Sequence, residues 1–223
     1  MASEAALREV ICEIGRRMYA RNLVAATDGN LSVRLGADRF LCTPSGVSKG
    51  FMKPGDLVIA NGHGEKIEGT GKVTSEFFTH LAAYEERPDV QAVVHAHPPH
   101  AVAFTLAGLS LVEPVLPEVV YALGGVPTAP YATPGTRDGA DAIRALIREC
   151  DAVLLPRHGS VTVGRDLMDA YLKLEKIEHA CQTLLLGRML GETAPLDRAK
   201  VKKLHALGRN YGVTGRLYEE RGP

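Results

Sequence analysis

Leu7, Val10, Ile11, Ile14 and Met18 recur at helical spacing, so residues 4–21 read as an amphipathic helix. Thr27-Asp28-Gly29-Asn30 breaks that period with turn residues. Leu31, Val33 and Leu35 then alternate as a strand, and residues 39–43 read as its hairpin partner. A second turn, Thr43-Pro44-Ser45-Gly46, precedes a short strand over 57–60 that ends at Asn61-Gly62. Phe77, Phe78, Leu81 and Tyr84 predict a helix from Thr74-Ser75 onward, capped by one of those two hydroxyls. β-Branched content marks 90–97 as a strand closed by Pro98-Pro99, and 100–109 suits a short helix. Further helices are expected over 139–150, 166–186 and 197–207. Strands over 152–155 and 159–163 place Pro156-Arg157-His158 at a corner. Strands do not alternate strictly with helices, and several neighbours read as hairpins. The pattern therefore favours an α/β fold of the α+β type, with a mostly antiparallel central sheet flanked by helices.

Neither a repeat nor a low-complexity tract interrupts the 223 residues, and one domain over 1–223 is expected. A chain of this size buries roughly 70% of its unfolded surface, enough for a core without staples. Lys plus Arg and Asp plus Glu each number 26, so no basic excess exists to cover a nucleic-acid backbone or an acidic membrane. Glu4, Arg8, Glu9 and Glu13 interrupt the N-terminal apolar residues, and no run of 18 apolar residues occurs. The expectation is a cytoplasmic protein. Cys12, Cys42, Cys150 and Cys181 lie at least 30 residues apart, which suits buried thiols better than a zinc knuckle.

Candidate chemistry begins at His95-Ala96-His97. Residues i and i+2 of a strand face one side about 6.5 Å apart, so two imidazoles can converge on one metal ion. With 8 histidines in the chain, about 0.3 such pairs arise by chance, and core or surface histidines are the plain alternative. His158, before Gly159 at the strand-end corner, offers a third nitrogen or else a solvated turn histidine. Histidines 63, 80, 100, 179 and 205 are weaker candidates; His80, four residues past Glu76, reads as a neighbour of the site or a surface residue. Glu76 opens a helix, where a carboxylate also simply favours the helix dipole. Thr74 and Ser75 beside it, with Gly29-Asn30 and Ser45-Gly46, form three polar turns whose N–H groups suit an anion. Each alone is more readily an ordinary turn.

Six segments occur in an order seen in the class II aldolase/adducin family. They are Thr27-Asp28-Gly29-Asn30-Leu31-Ser32-Val33-Arg34, Thr43-Pro44-Ser45-Gly46, Thr74-Ser75-Glu76, His95-Ala96-His97, Pro130-Tyr131-Ala132-Thr133-Pro134-Gly135-Thr136 and Arg157-His158-Gly159. The chain resembles that family, its bacterial L-fuculose-1-phosphate aldolases above all, from about residue 5 to about residue 190. The resemblance implies a zinc lyase that cleaves a small phosphorylated sugar, a ketose 1-phosphate, into dihydroxyacetone phosphate and an aldehyde. It implies Glu76, His95, His97 and His158 around Zn2+, with Mn2+ or Co2+ as substitutes. The phosphate falls to Gly29, Asn30, Ser45, Gly46, Thr74 and Ser75, and Glu76 carries the proton at the enediolate carbon. A tyrosine from a neighbouring subunit serves the aldehyde side, which implies a homotetramer with sites between subunits. Tyr121 in Pro117-Glu118-Val119-Val120-Tyr121 matches it, with Glu118 as substitute, because the chain is shorter than the family pattern just after Tyr121.

Rival readings within the resemblance are a pentulose-5-phosphate 4-epimerase and a methylthioribulose-1-phosphate dehydratase. The epimerases tend to carry Asp where Glu76 stands. A non-catalytic module like the adducin head belongs to another class, and retention of Glu76 and three histidines speaks against it. A Schiff-base aldolase would rest on Lys49 or Lys72, neither set in an apolar stretch that would lower its pKa.

Overall fold

The computed structural model describes residues 3–191 and 193–210. Helix α1 (Glu4–Ala20) begins where Ser3 Oγ accepts from the Ala6 N–H, and it buries Ile11, Ile14 and Met18 along one stripe. Seven strands follow: β1 (Asn30–Gly36), β2 (Arg39–Cys42), β3 (Val58–Ala60), β4 (Lys66–Glu68), β5 (Ala92–Ala96), β6 (Ala152–Leu155) and β7 (Gly159–Gly164). They form one antiparallel sheet in the order β4-β3-β2-β1-β5-β7-β6. The remaining helices are α2 (Phe77–Glu86), α3 (Pro99–Leu106), α4 (Pro117–Leu123), α5 (Arg137–Glu149), α6 (Leu167–Leu190) and α7 (Arg198–Asn210).

Both faces of the sheet are covered. Leu31, Val33, Val94 and Ala96 pack with Ile11 of α1 and Leu174 of α6, whereas Val93, Val161 and Val163 pack with Leu81 of α2 and Ile143 of α5. A third apolar cluster joins α3, α4 and the middle of α6 outside β6. Because β5 is central and buried on both sides, every residue of Ala92–Ala96 is buried and only His95 among them is polar, so the strand does not alternate. The four cysteines are buried and none is in a disulfide, as their spacing suggests.

The structure departs from the sequence pattern at several elements. Helix α2 starts at Phe77, and neither Thr74 nor Ser75 caps it: its N-cap is Glu76, without a side-chain cap hydrogen bond. Thr74 instead closes a turn through its carbonyl, which accepts from the Phe77 N–H at 3.2 Å. Helix α5 begins two residues earlier than expected, because Thr136 Oγ1 accepts from the Gly139 N–H. Helix α6 runs on to Leu190. Strand β4 and helix α4 have no counterpart in the pattern. The first is a three-residue exposed edge, and the second is rich in Val and Tyr. Pro117 at the first turn of α4 and the left-handed Gly124 after it are the local signals that frame α4.

Candidate metal centre and anion-binding turns

Strand alternation aims the first ligand. Val93 and His95 point to the α2 face of the sheet while Val94 and Ala96 point to the other, so His95 arrives under the start of α2 with no exposed surface. His97 follows just past the strand, its backbone N–H donating to Leu23 O at 3.0 Å. Glu76 stands at the N-cap of α2. His158 comes from the three-residue loop of the β6–β7 hairpin, in which Arg157 holds φ at 63° and its N–H donates to Thr105 Oγ1 at 2.9 Å. A non-glycine residue in that conformation costs about 1–3 kcal/mol, a strain that recurs beside functional groups.

These four residues each offer one ligand atom, and the four atoms lie within 4.8 Å of one another. His95 Nε2 is 2.8 Å from Glu76 Oε2 and 3.0 Å from His97 Nε2, and His158 Nε2 is 3.3 Å from Glu76 Oε1. On its far side, His95 Nδ1 donates to the Ser160 carbonyl at 3.0 Å. That bond keeps a proton on Nδ1 and leaves Nε2 as the inward nitrogen for a metal ion to take in place of a proton, as a metal-binding imidazole requires. Asp28 Oδ2 stands 3.5 Å from His97 Nδ1 on the same outer side. Burial, together with the charges of His95 and His158, pushes His97 down to about 4, which leaves it neutral at pH 7. Burial raises the Glu76 pKa, but the charge of His95 and hydrogen bonds from His158 and His95 outweigh it and hold the carboxyl well below the usual carboxylate range. A neutral nitrogen beside an ionised carboxylate is what a cation needs. Three imidazoles and one carboxylate suit a divalent transition metal, for which ligand atoms about 3.3 Å apart follow from bonds of about 2.0 Å.

Beside this cluster the three polar turns come together. Thr43 and Leu31 exchange bonds, Thr43 N–H to Leu31 O at 3.0 Å and Leu31 N–H to Thr43 Oγ1 at 3.2 Å. The Ser45 N–H donates to Lys72 O at 2.9 Å, which brings the second turn against the residues leading into Thr74-Ser75. Gly29 takes φ of +72°, and a Cβ there would lie 2.4 Å from Val24 Cγ1, so only glycine lets this turn close over the end of β5.

Lys49 corrects an expectation. It is 2% exposed, and burial, opposed by Asp28, pushes its pKa down to about 8. Its Nζ donates to Thr27 O at 2.7 Å and Val47 O at 2.6 Å, so it ties the first turn to the second instead of facing the cluster. Below about pH 8 folded and unfolded chains both carry its proton and the burial cost is fully present. Between about 8 and 10.5 the unfolded chain alone keeps the proton, so this group's contribution to stability rises with pH. Denaturant titrations from pH 7.5 to 10.5 will show the stability of wild type minus that of Lys49→Met increasing over this window. A flat difference would contradict the shift.

The profile of the family named Class II Aldolase and Adducin N-terminal domain matches residues 9–185. The chain belongs to the class II aldolase family. It is 34% identical over 207 residues to 5-deoxy-D-ribulose 1-phosphate aldolase of Bacillus thuringiensis serovar kurstaki, covering 92% of this chain and 96% of that one. It is 33% identical over 186 residues to 3-oxo-tetronate 4-phosphate decarboxylase of Cupriavidus necator, covering 82% and 85%. The crystal structure of L-fuculose-1-phosphate aldolase from Thermus thermophilus superposes with a TM-score of 0.74 at 31% identity, covering 86% of this chain and 98% of that one. Class II aldolases are metal-dependent, and the Glu76, His95, His97 and His158 cluster supplies the donors.

In this member of the family, Gly159 is the tightest point behind the cluster. A Cβ there would meet Ala96 O at 2.1 Å and His97 Cδ2 at 3.0 Å. Gly159→Ala is expected to cost about 1–3 kcal/mol, to lower Tm by about 2–10 °C, and to weaken metal retention by displacing His97 and His158. An unchanged Tm and metal content would contradict that packing.

Tyr121 lies apart from the cluster. It sits on α4 and lines a separate cavity of about 330 Å³ with Arg87, Asp151, Arg165 and Lys173, while Glu118 occupies the first turn of the same helix. Sequence reasoning missed the Ser160 carbonyl behind His95, for which a backbone atom 65 residues away leaves no local signal. It underrated His80, which is fully buried behind Asn30. His100 belongs elsewhere: with the Ala101 N–H it binds Glu178 of α6 and fastens the start of α3.

Proposed function

We propose that this chain, acting as one domain, is a zinc-dependent lyase that cleaves a ketose 1-phosphate by retro-aldol reaction to dihydroxyacetone phosphate and an aldehyde. The observation that supports this most is one half-buried carboxylate and three histidines converging beside three donor-rich turns. Zinc held by these donors would supply a Lewis acid at neutral pH, drawing charge from the substrate carbonyl. Gly29, Asn30, Ser45, Gly46, Thr74 and Ser75 take the phosphate through N–H and hydroxyl groups, so a chain of zero net charge needs no basic patch. Binding energy at the phosphate orients the reacting carbons. Glu76, its oxygens already against His95 and His158, carries the proton at the carbon left with the negative charge.

Tyr121, or Glu118 in its place, reaches from a neighbouring subunit and takes the proton of the hydroxyl that becomes the aldehyde oxygen as the carbon–carbon bond breaks, which makes the working form a homotetramer in the cytoplasm. Leu172, Leu186, Met189 and Leu190 stand exposed along α6, in keeping with subunit contacts. A 3-oxo acid phosphate is the second substrate class, favoured by the decarboxylase relative. Loss of carbon dioxide leaves the same kind of enediolate but needs no base to take a hydroxyl proton.

The test is a panel of ketose 1-phosphates and 3-oxo acid phosphates scored for dihydroxyacetone phosphate, aldehyde and carbon dioxide. Aldehyde release, sharply reduced in Tyr121→Phe, is expected. Carbon dioxide instead of aldehyde would select decarboxylation. Epimer or water loss without either would overturn the lyase reading.

A further inference from the structure

Behind Asn30 two hydroxyls and an imidazole stand in line. His80 and Tyr84 come from successive turns of α2 and Ser32 from β1, and none is more than 3% exposed. Tyr84 Oη lies 2.8 Å from Ser32 Oγ, Ser32 Oγ lies 2.6 Å from His80 Nδ1, and His80 Nε2 lies 2.5 Å from Asn30 Oδ1. Two hydroxyl protons and one ring proton must be shared along this line, and one direction satisfies them all.

Ser32 Oγ is the acceptor that the buried Tyr84 hydroxyl reaches among the described residues, so Tyr84 donates to it. Ser32 then directs its own proton to His80 Nδ1. That leaves Nδ1 bare, puts the ring proton on Nε2, and makes Nε2–H the donor to Asn30 Oδ1. The opposite order would strand the Tyr84 proton in the core and set the Nε2 lone pair against a carbonyl oxygen. Burial, helped by the charge of His95 and opposed by Glu76, holds His80 down to about 3, so the ring is neutral. With Oδ1 engaged, Asn30 Nδ2 is left without a partner among the described residues, next to Gly29 in the turn and paired with His95 across β1 and β5.

We propose that Tyr84, Ser32 and His80 form a positioning chain that locks the Asn30 amide with its N–H groups towards the substrate's anionic group. The chain rests on the phosphate reading of the turns given above. An Asn amide free to turn over presents oxygen as readily as nitrogen, and oxygen repels an anion. The device makes an uncharged side chain a dedicated donor, set by groups buried beneath α2.

Isothermal titration of the metal-loaded protein with inorganic phosphate tests it. His80→Leu is expected to bind phosphate about 10-fold or more weakly, the scale of one hydrogen bond to a charged group, with metal content unchanged. His80→Gln, whose amide can again donate to Asn30 Oδ1, is expected to recover to within about 3-fold of wild type. In turnover the same loss appears in KM more than in kcat. A merely structural His80 would move Tm in both variants without this split or rescue. Should His80→Leu fail to fold, ring-nitrogen NMR of the wild type decides: protonated Nε2 with bare Nδ1 supports the chain, and the reverse overturns it. A folded, metal-loaded His80→Leu that binds phosphate like wild type overturns the positioning role and leaves the phosphate reading standing. Wild type that binds no phosphate overturns that reading and the proposal together.

Discussion

Replacing His95, His97 or His158 by alanine is expected to strip the protein of its metal and to abolish turnover. Each substitution leaves two of three nitrogens, and no other histidine joins the described cluster to compensate. His95→Ala goes further, because the ring is wholly buried and anchored to the Ser160 carbonyl. Its loss opens a hole under α2 and leaves Glu76 without its nearest partner. Elemental analysis of the purified variants should show less than about a tenth of the wild-type metal, since losing even a group that only orients a ligand costs about 10–100-fold in affinity. A metal that binds only the folded state also stabilises it by mass action, so chelation should lower the wild-type Tm and leave the variants unmoved. Full metal content with full activity in any of the three would remove that histidine from the centre.

Glu76→Gln separates chemistry from metal binding. Glutamine keeps the size and an oxygen ligand, so most of the metal is expected to stay. It cannot accept a proton, and positioned acid–base catalysis is worth about 10²–10⁴-fold, so turnover should fall by that factor while a phosphorylated substrate analogue still binds. The alternative role is a carboxylate at the start of α2, worth about 0.3–1 kcal/mol of stability and nothing in rate. Geometry weighs against it: Glu76 makes no side-chain cap hydrogen bond, and its oxygens reach His95 and His158. Near-normal kcat in a metal-loaded variant would take Glu76 off the catalytic list.

Most of the elements, and the residues of the candidate metal centre, were legible in the chain before folding was considered. Period-2 and period-3.6 patterns located the strands of the antiparallel sheet and the helices around it, because burial of one face imposes those periods wherever an element is long enough. Strand β4 and helix α4 escaped for that reason, one a three-residue exposed edge and the other too short and too Val-rich to show a helical period. Spacing made His95 and His97 candidates on one face and put His158 at a corner between two strands, whereas the set with Glu76 came from the resemblance to the family. Which neighbours make those residues work emerged only on folding. The Ser160 carbonyl that sets the His95 tautomer and the Tyr84–Ser32–His80 line behind Asn30 join residues up to 65 positions apart. Lys49 shows the same limit, since its sequence surroundings gave no hint of burial and its two carbonyl partners lie in different turns. Hydrogen bonds across a sheet depend on register and on which helix lies over which strand, and no local period in the chain encodes either.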